Sequence, residues 1–284
     1  MSVLITDPSG GVWEKNASGE GGRSIPGDLE WPCMPCACLS CAAFACQKTR
    51  RCLCVDRRSF SLISQLPSVP GVCGMALSPC GRFLYQLSAE ADCVHTRCTA
   101  TGDLLFAAPA GVFPRMLNLR GRQLLIAGGA VNEACLLSAP ELKREQTITT
   151  RHPCFGADFD QEGLTLVCAM EGEDIHTAVY RLKAGKLRPR KIAELPGEPG
   201  GVCVCPDGRH ALLSTGDGLM KMNLDTGLLL WNRPEWAHAM RIECRGEWAL
   251  ASDTMDGCAW LFSHHRPWEK RLLLKGSAAQ ACFM

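Results

Sequence analysis

No stretch of this chain approaches the roughly 20 consecutive apolar residues that a membrane-spanning helix requires. The opening residues, Met1 to Gly11, hold an acid and several turn formers but no basic segment leading into an apolar one. The expectation is therefore a protein without a signal peptide and with a cytoplasmic location. An excess of charge is also lacking: 30 basic and 29 acidic residues leave a net charge of +1. Neither nucleic acid nor an anionic membrane surface has an electrostatic case as a partner. The short basic runs at 48–51, 57–58 and 186–191 read as solvated hairpin tips. The chain contains no G-x-S-x-G elbow, no H-E-x-x-H, no phosphate loop and no G-x-G-x-x-G opening a helix, which removes the commonest hydrolase and nucleotide routes.

What is present is a repeat. Glycine-bearing turns at Gly81, Gly121, Gly163, Gly208 and Gly246 are spaced by 40, 42, 45 and 38 residues, the interval at which a β-propeller repeats its four-stranded blade. A second set of turns, Thr101-Gly102-Asp103, Ala184-Gly185-Lys186 and Thr226-Gly227-Leu228, falls 83 and 42 residues apart, two blades and one. Glycine suits such corners because a tight hairpin places one residue at positive φ. Five blades follow, at about 70–110, 112–150, 154–195, 200–236 and 238–275, and a sixth without the glycine turn fits 35–66. The C-terminal run from Ala278 to Met284 reads as an innermost strand with no successor, while Val3 to Asp7 and Gly10 to Glu14 read as second and third strands with no first. Joined, they make a seventh blade that leaves the ring no open edge. The fold class is all-β, a seven-bladed propeller closed by its C-terminal strand, in one domain over 1–284. Residues 17–32, rich in glycine, serine and acids, read as a long surface loop.

Cysteine is abundant, 19 residues and an odd number. Without an export signal a disulfide scaffold is not expected, and most of these thiols fall at apolar strand positions where cysteine packs as a small hydrophobe. Cys33, Cys36, Cys38 and Cys41 need separate weighing, because two C-x-x-C pairs supply enough thiolates for a zinc or iron–sulfur site. Strand alternation puts Cys41 on the opposite face from Cys36 and Cys38, so the second pair is not expected to converge unless a bulge intervenes. The pairs are also crowded for a zinc ribbon. Small-residue packing is the reading adopted, with no metal and no cofactor, and a redox-active Cys33 and Cys36 pair is a lesser alternative. His264 and His265, neighbours on a strand, are expected to point to opposite faces.

Function is sought on the face formed by loops entering each innermost strand and by loops between second and third strands. In this register the first kind supplies Arg115, His152 and His238, and the second supplies Asp174 and His176 along with Glu171, Glu173 and Asp256. If Arg115 and the three histidines converge, they could hold an anionic group, polarise a carbonyl or ligate a metal.

Residues 75–85, Met-Ala-Leu-Ser-Pro-Cys-Gly-Arg-Phe-Leu-Tyr, and 202–209, Val-Cys-Val-Cys-Pro-Asp-Gly-Arg, resemble the paired strands of YVTN-type and lactonase-like seven-bladed propellers. Asn223 to Trp231 also resembles a quinoprotein-type repeat, in which a tryptophan wedges between blades, while the Gly-His and Trp-Asp signature of WD repeats is missing. The resemblance implies the fold and, as one possibility, sugar-lactone hydrolysis at the channel mouth, with a histidine or acid activating water and Arg115 holding an anionic group. The expectation taken forward is a non-enzymatic, monomeric scaffold that presents its loop face or channel to a protein or small ligand.

Overall fold

The computed structural model describes residues 2–7, 10–16, 22–25, 29–30, 32–170, 174–186, 188–237, 239–253, 258–275 and 280–284. They form seven four-stranded antiparallel sheets arranged as a seven-bladed β-propeller. Blade 1 takes its innermost strand from Gln280–Phe283 and its others from Ser2–Asp7, Gly11–Asn16 and Gly22–Ser24. The innermost strands of blades 2 to 7 are Pro32–Ala37, Val72–Leu77, Met116–Arg120, Cys154–Phe159, Pro199–Val204 and Ala239–Arg245. The latch is in register, with Val3 opposite Phe283, Leu4 opposite Cys282 and Ile5 opposite Ala281.

The segment expected to be a surface loop supplies the last strand of blade 1, since Gly22–Ser24 pairs with Trp13 to Lys15. Three exposed residues carry too little hydrophobic alternation to be recognised from sequence. Beyond it, Ala17 to Gly21 and Pro26 to Asp28 lie outside the described residues.

Packing is organised between blades rather than within them. Seven apolar clusters each join one blade to the next. The blade 2–3 cluster is built with Cys33, Cys36, Cys41, Cys52 and Cys54 beside Met75, Leu77 and Leu84. Burial pushes the Cys33 and Cys52 thiols up to about 12, which keeps them protonated and inert. In the blade 6–7 cluster Trp231 stands edge-on to Phe262, with ring centroids 6.4 Å apart, so the tryptophan of the 223–231 repeat does wedge between blades.

Turn chemistry explains the repeat. Gly102 and Gly227 sit at φ of +81° and +73° and donate their N–H to the carbonyl four residues back, Cys98 and Asn223. Phe60 and Leu142, at +61° and +57°, make the same bond to Asp56 and Ser138 without glycine.

Candidate functional site

The channel is walled by alternate residues of the innermost strands, and polar side chains there tie each strand to its neighbour. Asn118 Nδ2 donates to Ala157 O at 2.8 Å, Asp158 Oδ2 accepts from Val204 N at 2.7 Å, and Glu243 Oε2 accepts from Phe283 N at 3.0 Å. These bonds link blades 4, 5 and 6 in succession and blade 7 to blade 1, so the wall is a braced surface rather than a set of loose strand ends. Desolvation raises the Asp158 carboxyl to about 6, even though Val204 and Phe159 amides donate to it.

Arg241 reaches across the wall to Glu243, with Nε and Nη2 at 3.1 and 2.7 Å from Oε1. Sequence reading missed this pair. The signal was the alternation Arg241, Glu243, Arg245 on an innermost strand, which at period two sends all three side chains to one side.

The two mouths differ in chemistry. At the end where the innermost strands begin, a cavity of about 450 Å³ is lined by Met34, Cys73, Phe113, Pro114, Arg115, Met240 and Gln280, with Arg241 and Glu243 at its floor. Its rim is apolar and open: Phe113 is 63% exposed and Met240 39%. The loop carrying Phe113 and Arg115 is fixed from several sides. Phe113 N–H donates to Asp92 Oδ1 at 2.8 Å, the Cys73 thiol donates to Pro114 O at 3.0 Å, and Arg115 N–H donates to Ala127 O at 3.1 Å. Across the mouth, Gln280 Oε1 accepts from Met34 N–H at 2.5 Å. The Arg115 guanidinium lies 4.9 Å from the Phe155 ring centroid, a cation–π contact. Among the described residues no carboxylate lies within ion-pair distance of it.

At the opposite mouth a cavity of about 630 Å³ is lined by Arg57, Arg120, Arg245 and Asp158, with Cys36, Cys38, Cys203, Cys244 and Cys282 between them. Arg120 is already engaged, donating to Asp160 O at 2.7 Å and stacking on Phe159 at 4.4 Å, and Arg245 donates to Met284 O.

Of the residues singled out from sequence, Arg115 lines the first cavity. His152 lines a separate groove of blade 5 with Arg151, Met170, Tyr180, Arg188 and Lys191. His176 opens the third strand of that blade, opposite Pro196, and both histidines act electrostatically on Glu194, whose carboxyl is lowered first by Lys191. Asp174 is exposed in the loop before that strand. His238, Glu171, Glu173 and Asp256 lie outside the described residues.

The thiol expectations need two corrections. Cys38 and Cys41 do converge, with sulfurs 3.5 Å apart, because they flank a two-residue turn rather than continuing one strand. His264 and His265 do not diverge either: they lie past the strand end, where their rings stack with centroids 4.2 Å apart. Buried His264 is engaged by Lys221 Nζ at Nδ1, 3.1 Å, and by Gly246 O at Nε2, 2.9 Å. Among the described residues no group of three or more histidine, cysteine or acidic side chains is arranged to hold a metal ion.

No protein-family model matches the chain, and no curated protein matches it in sequence. Solved structures match in shape. A functionally unknown protein from Desulfotomaculum acetoxidans superposes with a TM-score of 0.74 at 10% identity, covering 99% of this chain and 98% of that one. The WD40 repeats of RRP9 superpose at 0.71 and 12% identity over 89% of this chain and 83% of theirs. Hydrazine synthase of Kuenenia stuttgartiensis superposes at 0.67 and 14% identity, covering 85% and 79%. At these identities the likeness is one of fold: the chain is a seven-bladed β-propeller, similar to WD40 and other propellers.

Proposed function

We propose that this protein is a non-catalytic binding propeller whose Arg115 mouth captures an anionic group attached to an apolar body, presented by a protein partner or by a small molecule. The observation that carries this reading is Arg115 itself. Its guanidinium sits on Phe155, without a carboxylate partner among the described residues, inside a rim of Met34, Phe113 and Met240. Arg115 is exposed at this rim, where its planar guanidinium can take a carboxylate or phosphate in bidentate fashion, and the methionine and phenylalanine side chains beside it adapt to an aliphatic or aromatic body. The likeness to WD40 propellers supports a scaffold role.

The second reading, a sugar-lactone hydrolase of the YVTN or lactonase-like kind, draws on residues 75–85 and 202–209. Lactone opening needs a base beside Arg115 to activate water. Among the described lining residues Glu243 is the acid at that cavity, and its oxygens are taken up by Arg241 and the Phe283 amide.

The test is a thermal-shift panel of medium-chain carboxylates, aryl carboxylates and alkyl phosphates, run beside a lactone-hydrolysis assay. A ligand at a hundredfold excess over its Kd stabilises by about 2.7 kcal/mol, or about 5–11 °C at about 2–4 °C per kcal/mol. The expected result is such a shift in the wild type, its loss in Arg115→Ala and a weaker shift in Phe113→Ala. Turnover of a lactone, or shifts that Arg115→Ala leaves intact, would reject the binding reading.

A further inference from the structure

We infer that Cys38 and Cys41, at the opposite mouth of the channel from Arg115, form a thiol–disulfide exchange site that reacts with low-molecular-weight disulfides of the glutathione class. The two residues are the last rung of the first hairpin of blade 2. The Cys38 amide donates to Cys41 O at 2.9 Å, and the turn between them is Leu39 and Ser40, with Leu39 79% exposed. Directly opposed hairpin residues meet the Cα spacing of a disulfide, and sulfurs 3.5 Å apart need to approach by roughly 1.5 Å to bond. Loss of the bond between strands is not required, because a turn this exposed absorbs the change in χ angles.

The pair is also asymmetric, as exchange requires. The Cys38 sulfur receives the Cys41 thiol, the Ser40 hydroxyl at 3.5 Å and the Cys41 amide at 3.5 Å. Those donors, the Cys41 thiol first, hold the Cys38 thiol down at about 5, and the same contact pushes Cys41 up. Cys38 is half-buried and faces the cavity with Arg57, whose guanidinium donates to the Cys38 carbonyl at 3.2 Å. Cys41 is 4% exposed, its sulfur packed 3.9 Å from Gly81 O of blade 3. Cys38 is thus the accessible nucleophile and Cys41 the shielded resolving thiol. The Cys33 and Cys36 pair singled out from sequence is buried and held protonated.

The chemistry balances without another reagent. The Cys38 thiolate attacks one sulfur of glutathione disulfide, forming a Cys38–glutathione mixed disulfide and releasing one glutathione thiolate. Cys41 then gives up its proton to that thiolate or to water, and its sulfur attacks the Cys38 sulfur. The protein disulfide forms and the second glutathione leaves. Two electrons pass from the dithiol to the small disulfide.

The sequence provides its own assay, because chymotrypsin cuts after Leu39, between the two cysteines, and after Phe44. Reduced protein is exposed to glutathione disulfide, quenched with acid, alkylated and digested without reductant. The expected product is fragment 40–44, whose sole thiol is Cys41, joined to fragment 30–39. It disappears in Cys38→Ser and persists in Cys33→Ser and Cys36→Ser. In Cys41→Ser the reaction stops as a glutathione adduct on fragment 30–39. A link that survives Cys38→Ser, or no link at all while the exposed Cys80 becomes glutathionylated, overturns the proposal.

Iodoacetamide gives an independent readout. At pH 6.5 a thiol of pKa 5 is about a hundredfold more ionised than one of 8.5, but its nucleophilicity is about thirtyfold lower. The absolute rate gain is therefore only a few-fold, and the pH profile is the diagnostic. Alkylation of Cys38 should stay flat from pH 8 to about 6, whereas an ordinary thiol slows about tenfold per pH unit. A tenfold-per-unit profile at Cys38 would reject the assignment of nucleophile.

Discussion

Replacing Asp160 with alanine tests whether the ring is held by buried charge or by apolar packing alone. Asp160 is 2% exposed at the end of the innermost strand of blade 5, and its carboxylate accepts from Glu162 N–H at 2.8 Å, Thr165 Oγ1 at 3.2 Å and Arg181 Nε at 2.9 Å. Arg181 is itself buried and reaches Asp225 of blade 6 at 2.6 Å, while Arg120 of blade 4 donates to the Asp160 carbonyl. Removing one member of a buried pair costs about 3–5 kcal/mol, chiefly because the other charge is left stranded. Here Asp225 and Glu162 remain beside Arg181, each with a side chain 52% exposed, so the lower end applies, about 3 kcal/mol. Asp225→Ala removes only the half-exposed arm and should cost far less than Asp160→Ala. Arg181→Met should cost about 3 kcal/mol in the wild type but less than about 1 kcal/mol in an Asp160→Ala background, where no buried anion is left to strand and Glu162 and Asp225 can turn to solvent. The assay is urea denaturation of reduced protein at neutral pH, reading the midpoint at constant m-value, repeated at high salt. Salt should erase the Asp225 effect and leave the Asp160 effect in place. Additive single and double changes, or equal losses at Asp160 and Asp225, would refute the account.

Three further outcomes follow from the geometry. Phe283→Ala, in the latch cluster with Val3, Ile5 and Leu261, should cost about 3–5 kcal/mol by urea denaturation, against less than about 0.5 kcal/mol for the exposed Phe113→Ala. Gly129 sits at φ +58°, and a Cβ there would lie 1.8 Å from Phe113 O, so Gly129→Ala should displace the Arg115 loop; the expected readings are a lower Tm and weaker carboxylate binding together. Asp158 has a folded pKa of about 6, above its ordinary 3.8, because burial disfavours the carboxylate. The native state therefore holds that proton more tightly, so this group withdraws stability as pH rises from about 4 to about 6. The stability difference between wild type and Asp158→Asn should change by on the order of 1–2 kcal/mol across that window, the channel side being solvated; a pH-independent difference would count against it.

Where the sequence was legible, backbone geometry forced a residue type. Gly102, Gly185 and Gly227 announce blade corners because a positive φ favours glycine. Blades 2 and 4 make the same corner with Phe60 and Leu142, whose side chains repay the strain by packing at 8% and 4% exposure, and there the repeat fades from view. The strand Gly22–Ser24 was illegible because three exposed residues bury nothing that could pattern them. Arg115 could be placed at a channel mouth from register alone. Its company could not: Met34, Met240 and Gln280 come from three other blades and meet only through the curvature of the ring. Convergence of Cys38 with Cys41 depended on a turn falling between them, a matter of one residue in strand boundary, finer than apolar alternation resolves.

The pairing of Val3 with Phe283 separates its partners by 280 positions, from 283 minus 3. During translation, Val3, Leu4 and Ile5 leave the ribosome before the neighbour that covers them, and they wait while the residues between the two strands are made. Such a nascent chain exposes a sticky edge for tens of seconds at ordinary elongation rates of about 5–20 residues per second. Chaperone dependence during expression, relieved when a peptide matching Gln280–Phe283 is supplied in trans, is the cellular signature of a ring sealed by a strand made long after the one it covers.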